Sequence, residues 1–155
     1  MPFSLGASSR AHLAGVHPAL AGVVGRAILL TAQDFTVMEG LRSLAQQKEN
    51  VRKGVSKTMD SKHLKQPDGY GHAVDLVPWV DGHAQWLWPA IYPIAAAMRE
   101  AAIGAGVRLR WGGVWDRVLN DLPAGAVALE AEVQAYQHRH PGPDFLDGPH
   151  YELHA

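Results

Sequence analysis

Residues 73–78, Ala73-Val74-Asp75-Leu76-Val77-Pro78, read as a strand, with Asp81-Gly82 as the turn that follows. Upstream, residues 55–70 are rich in Ser, Lys, Asp, Pro and Gly and read as a surface loop. Before that loop, residues 41–53 form a largely polar helix candidate that Gly54 ends in the C′ position. Residues 34–38 alternate apolar and polar side chains as a half-buried strand does, closed by Gly40. Residues 19–31 are rich in Ala, Val, Ile and Leu and read as a buried helix with Pro18 near its first turn. Downstream, residues 85–104 are apolar enough for a long packed helix, and Pro89 and Pro93 place its regular part after Ile94. Residues 108–111 are a further strand candidate ending at Gly112-Gly113. Residues 116–146 resist assignment except for helical composition over 126–138, and residues 150–153 are the last strand candidate. Short strands separated by helices, with no internal repeat, predict an α+β architecture.

The chain of 155 residues is the size of one domain with one core, spanning 1–155 with a short lead over 1–15. A hydrophobic fraction of 47% and a charged fraction of 19% belong to a globular protein, not a disordered or fibrous one. With 14 Lys and Arg against 15 Asp and Glu, nothing suggests counterion-driven binding of nucleic acid. No segment has the roughly 18 uninterrupted apolar residues of a membrane span, and residues 1–10 lack a basic start followed by an apolar run. Synthesis in the cytoplasm without a signal peptide is therefore expected, with any export by another route. The absence of cysteine excludes thiol nucleophiles, disulfides and every thiolate metal site, so any metal must be held by His and carboxylates.

His-Glu-x-x-His and Gly-x-Ser-x-Gly are also absent. What remains for hydrolytic chemistry is Ser61-Lys62-His63, then Gly71-His72-Ala73-Val74-Asp75, then Asp147-Gly148-Pro149-His150-Tyr151-Glu152. Two histidines and one aspartate can supply three protein ligands and leave a fourth position to water, the open arrangement of a catalytic zinc. Such a site needs a base beside it. Asp147 stands three residues before His150, and residues three apart in a straight strand face opposite sides, so both reach one site only if Gly148-Pro149 bends the chain.

These segments resemble the zinc peptidases that include phage L-alanyl-D-glutamate endolysins, bacterial D-alanyl-D-alanine carboxypeptidases and related dipeptidases. Ser61, His63, Gly71, Ala73 and Asp75 match the family signature Ser-x-His-x-x-Gly-x-Ala-x-Asp, and Asp147 with His150 matches the second, an acidic residue three places before a final His. Residues 145–152 are similar to the endolysin branch, as are Glu39-Gly40-Leu41-Arg42, Gln46-Gln47 and Gly54-Val55-Ser56-Lys57-Thr58-Met59; the likeness runs from His17 to Leu153. It implies one zinc per chain on His63, Asp75 and His150, Asp147 as base, Arg42 polarising the substrate carbonyl or stabilising the oxyanion, and Ser61 touching substrate or orienting the first ligand. It implies a small antiparallel sheet with helices packed on one side, of the zinc D,D-peptidase/Hedgehog-like type. The substrate implied is the peptidoglycan stem peptide, cut by a monomer as an L-alanyl-D-glutamate endopeptidase of phage or prophage origin, released to the wall by a holin or similar pore. A D-alanyl-D-alanine carboxypeptidase and a zinc-containing recognition module without hydrolysis are the alternatives.

The chain departs from the family pattern twice. Eleven residues separate His63 from Asp75 where six are usual, an insertion around residues 65–70, expected to be a surface excursion. Val114 stands where relatives often carry Asp. Of the other histidines, His12, His17, His83, His138, His140 and His154 read as ordinary surface or core residues, and His72 is the first substitute ligand to consider. Trp86, Trp88, Trp111 and Trp115 read as core. Glu152 reads equally as a partner of a ligand histidine or as a strand residue facing water.

Overall fold

The computed structural model describes residues 2–55, 59–142 and 145–154. Among these, the chain runs α1 (Ala7–Leu13), α2 (Pro18–Leu30), β1 (Phe35–Glu39), α3 (Leu44–Arg52), β2 (Ala73–Val80), β3 (His83–Ala84), α4 (Trp88–Ala105), β4 (Leu109–Gly112), β5 (Val114–Val118), a 3₁₀ turn (Leu119–Asp121), α5 (Ala126–Arg139) and β6 (Asp147–Leu153). The sheet order is β1-β2-β6-β4-β5, with β3 paired to β2, and every pairing is antiparallel. This is the expected α+β fold.

Side-chain alternation divides the sheet into two faces. Val74 and Leu76 of β2, Tyr151 of β6, and Leu109 and Trp111 of β4 join Leu20, Val23 and Val24 of α2 and Ile91, Ile94 and Met98 of α4 in one buried apolar cluster. The residues between them, Asp75, His150, Glu152 and Arg110, line a cavity on the other face. Register aligns them, with Glu39 opposite Asp75, Asp75 opposite His150, and Glu152 opposite both Ala73 and Arg110. Burial of the core face thus sets which residues the opposite face can offer.

Several boundaries differ from the expectations. The polar helix begins at Leu44, because the Ser43 hydroxyl accepts from Gln46 N at 3.0 Å as a cap, so Arg42 lies in the turn between β1 and α3. Helix α4 begins at Trp88, six residues before Ile94. Pro89 occupies its first turn at no cost in hydrogen bonds, and Pro93 forfeits one bond in a helix packed against α2 and the sheet. The unassigned stretch holds part of β5 and the 3₁₀ turn, while the helix expected over 126–138 is α5. Asp81 and Gly82 both have positive φ, 52° and 83°, the tight hairpin turn that joins β2 to the unforeseen β3. The lead carries α1, which packs on β1, and Phe3 and Leu5 rest against the core. Ser56, Lys57 and Thr58, part of one family-like phrase, lie outside the described residues. Among the described residues no helix is long and apolar enough to cross a membrane.

Candidate active site and metal centre

The cavity has a volume of about 750 Å³, and its floor is the polar face of the sheet. Asp75 and His150 face each other across the β2–β6 register, and the His150 Nδ1 lies 3.3 Å from Asp75 Oδ1. His63 comes from the loop after α3, and its Nε2 lies 3.2 Å from the same oxygen. The two imidazoles stand edge to face with centroids 5.1 Å apart. One ligand atom from each of His63, Asp75 and His150 falls within 4.8 Å of the others, a grouping that could hold a metal ion.

Hydrogen bonds on the far side of each ring decide what faces Asp75. His63 Nδ1 lies 2.8 Å from the Gly40 carbonyl, which can only accept, so Nδ1 carries the proton and Nε2 presents a lone pair. His150 Nε2 lies 2.9 Å from Glu152 Oε1; burial raises Glu152, but the bond from His150 together with the charges of His150, Arg110 and Lys62 holds it below the usual carboxylate range. The proton therefore sits on Nε2, leaving the Nδ1 lone pair for Asp75. Two neutral rings and a carboxylate would thus aim three electron pairs at one point, which is stable only if a cation or protons share it. Without a metal, protons take that place. Burial opposes charge on His150, but its hydrogen bonds to Asp75 and Glu152 push it up to about 9. Burial likewise raises Asp75, and the bonds from His150 and His63 overcome this and hold it well below its ordinary value. The donor set, nitrogens and a carboxylate with oriented rings, fits zinc.

Asp147 opens β6 opposite Gly112, whereas Tyr151 pairs with Trp111, so Gly148, Pro149 and His150 form an irregular step in the β4–β6 register. This is the bend that three-residue spacing required. The Trp111 indole donates to the Gly148 carbonyl at 2.7 Å, and a Cβ on Gly148 would meet the Trp88 ring at 2.9 Å, so the step is pinned from the core. Asp147 lines the cavity with the three metal-site residues. Burial and the charge of Asp75 push its carboxyl up to about 6, against the pull of His150, His63 and Arg42.

Arg42 also lines the cavity, where it donates to both carboxylate oxygens of Glu39, with Nη2 to Oε2 at 2.6 Å, and to Gln47 Oε1 at 2.5 Å. Those bonds to Glu39 outweigh burial and keep it charged, above the ordinary arginine range. Its backbone N–H donates to the His63 carbonyl at 2.8 Å. Ser61 Oγ accepts from the His63 backbone N–H at 3.2 Å and stands 3.5 Å from Arg42 Nη1, tying the two segments together. All six residues singled out in the sequence therefore border one cavity.

His72 is turned away from it, with Nε2 2.7 Å from Asp68 Oδ2. The residue 65–70 excursion closes on itself through Gln66 N–H to Tyr70 O and Gly69 N–H to Gln66 O, both at 2.8 Å. Trp111 is buried as expected, but Trp86 is 49% exposed and lines the cavity, because it precedes α4 instead of lying on its packed face. Sequence reasoning missed Glu39 and Gln47 as the clamp on Arg42, and the Gly40 carbonyl as the anchor of His63. The first had a visible signal in the three-residue spacing of Glu39 and Arg42; a backbone acceptor leaves none.

Comparison with known proteins places the chain among peptidases. The family model described as phage L-alanyl-D-glutamate peptidase matches residues 1–154. The L-alanyl-D-glutamate peptidase of Escherichia phage T5 is 34% identical over 120 residues, 75% of this chain and 84% of that protein. The crystal structure of Serratia marcescens L-Ala D-Glu endopeptidase ChiX superposes with a TM-score of 0.72 at 34% identity, covering 99% of this chain and 91% of that one.

Proposed function

The chain belongs to the phage L-alanyl-D-glutamate peptidase family, and we propose that it hydrolyses the L-alanyl-D-glutamate bond of peptidoglycan stem peptides with one zinc ion held by His63, Asp75 and His150. The observation that supports the metal is the convergence of His63, Asp75 and His150, with an outer hydrogen bond on each ring that turns its other nitrogen towards Asp75. A zinc ion there would acidify a water molecule and polarise the substrate carbonyl. Asp147 takes the proton of the attacking water and passes it to the departing amine, a task suited to a carboxylate raised towards neutrality. Arg42, fixed by Glu39 and Gln47, offers its charge to the carbonyl oxygen as that oxygen becomes negative. Ser61 orients the segment that carries His63.

Digestion of purified peptidoglycan with and without a zinc chelator, followed by mass spectrometry of the fragments, tests this reading. New N-terminal D-glutamate that disappears with the chelator is expected. Loss of terminal D-alanine would instead make the protein a carboxypeptidase, and no product would leave it a binding module.

A further inference from the structure

Arg110 lies on β4 between Leu109 and Trp111, both fully buried in the core, so its side chain projects from the opposite face into the catalytic cavity. It is half-buried there. Four other arginines of this chain are matched: Arg42 with Glu39, Arg52 with Glu49, Arg108 with Asp121, Arg139 with Asp116. Among the described residues the Arg110 guanidinium makes no hydrogen bond and no ion pair, and it acts on Glu152, its partner in the β4–β6 register, only through its field. Glu152 is already engaged by His150. Lys62 also lines the cavity and bears on Glu152 in the same way, so two cations act on this one carboxylate. Arg42 adds nothing to the excess, since Glu39 neutralises it, and the charges of Asp75 and Asp147 are directed at the metal position.

A half-buried guanidinium without a partner, in a cleft, is an open receptor for a carboxylate, which it can bind through two parallel hydrogen bonds. The row of Arg110 and Glu152 is two residues along β6 from the row of His150 and Asp75, roughly 7 Å away. A ligand group held there sits beside the scissile bond. A D-glutamyl residue has two carboxyl groups, and the stem peptide continues through only one. The other is a free acid on the residue whose nitrogen leaves.

We propose that Arg110 is a specificity-determining residue that binds this free carboxylate and so makes the enzyme select the acid over its amide. The inference rests on the peptidase reading above. Its test uses the full-length, zinc-loaded protein and two synthetic stem peptides that differ only in this group, carboxylate or carboxamide. For the wild type, kcat/KM should favour the carboxylate by roughly 10- to 100-fold, the range of a charge-assisted pair. In Arg110→Gln the preference should fall to within about twofold, chiefly through a raised KM for the carboxylate peptide. Arg110→Lys, which keeps the charge without the planar fork, should retain an intermediate preference and serves if the glutamine variant folds poorly. A wild type without preference, or a preference that survives in Arg110→Gln, overturns the proposal. A purely structural role would lower both peptides alike and leave the ratio intact, which also overturns it. Failure of the wild type to cut either peptide would instead refute the peptidase reading, and the role of Arg110 with it.

Discussion

Asp147, partly buried, and Glu152, buried, are both carboxylates near His150, yet their surroundings drive them in opposite directions. Glu152 accepts from His150 and stays ionised, whereas Asp147 is pushed up to about 6 by burial and by Asp75. Asp147→Asn should keep the fold and the zinc but lower kcat by about 10²- to 10⁴-fold, measured by single-turnover cleavage beside metal analysis. Since only ionised Asp147 can accept a proton, activity should fall as pH drops through its pKa. Zinc adds positive charge, so the acid limb of kcat/KM should lie at or below about 6, and the limb should vanish in the asparagine variant. A limb retained in Asp147→Asn would assign the base elsewhere. Glu152→Gln weakens the orientation of His150 and should cost about 10- to 100-fold in zinc affinity, read by competition with a chromophoric chelator. An unchanged affinity would reduce Glu152 to a strand residue.

At the scale of elements, the strands that carry the site were legible because each states its period plainly. Alternation in Val74-Asp75-Leu76 and His150-Tyr151-Glu152 places one set of side chains in the core and the other in the cleft. Less legible was what depends on close approach of backbones. Nothing in the letters of Gly112 says that a Cβ there would meet the Asp147 carbonyl oxygen at 2.1 Å, or that this contact sets where β6 begins. β5 escaped notice because its Asp116 and Arg117 are exposed and its pattern is broken. Arg42 was read onto a helix because the polar run continues through it, and only the Ser43 cap shows where the helix starts. Gly112→Ala should therefore push Asp147 out of place and lower both activity and melting temperature. Gly25→Ala, inside α2 with nothing within 4 Å of the new methyl, should stabilise by about 0.5–1 kcal/mol in thermal unfolding. If Gly112→Ala were as benign, the close contact would have no part in setting the base. The residue 65–70 excursion belongs to this scale too, since its Asp68 holds His72 away from the cavity. His72→Ala should leave zinc stoichiometry at one per chain.

For the molecule as a whole, the metal position joins a loop after α3 to two central strands, so zinc should act as a cross-link and its removal should lower the melting temperature. Metal-free protein has its own pH signature. His150 is raised to about 9 from an ordinary 6.5, so the stability it contributes is complete below about 6.5 and is lost as pH rises through 9. Thermal melts of the stripped protein should weaken over that window, while the zinc-loaded protein, whose rings are neutral, should not. The metal analysis of dialysed protein bears most directly on this account. Wild type should retain one zinc per chain, and His63→Ala and His150→Ala should retain almost none while keeping the native circular-dichroism spectrum. Full zinc occupancy in either variant, or none in the wild type, would contradict it.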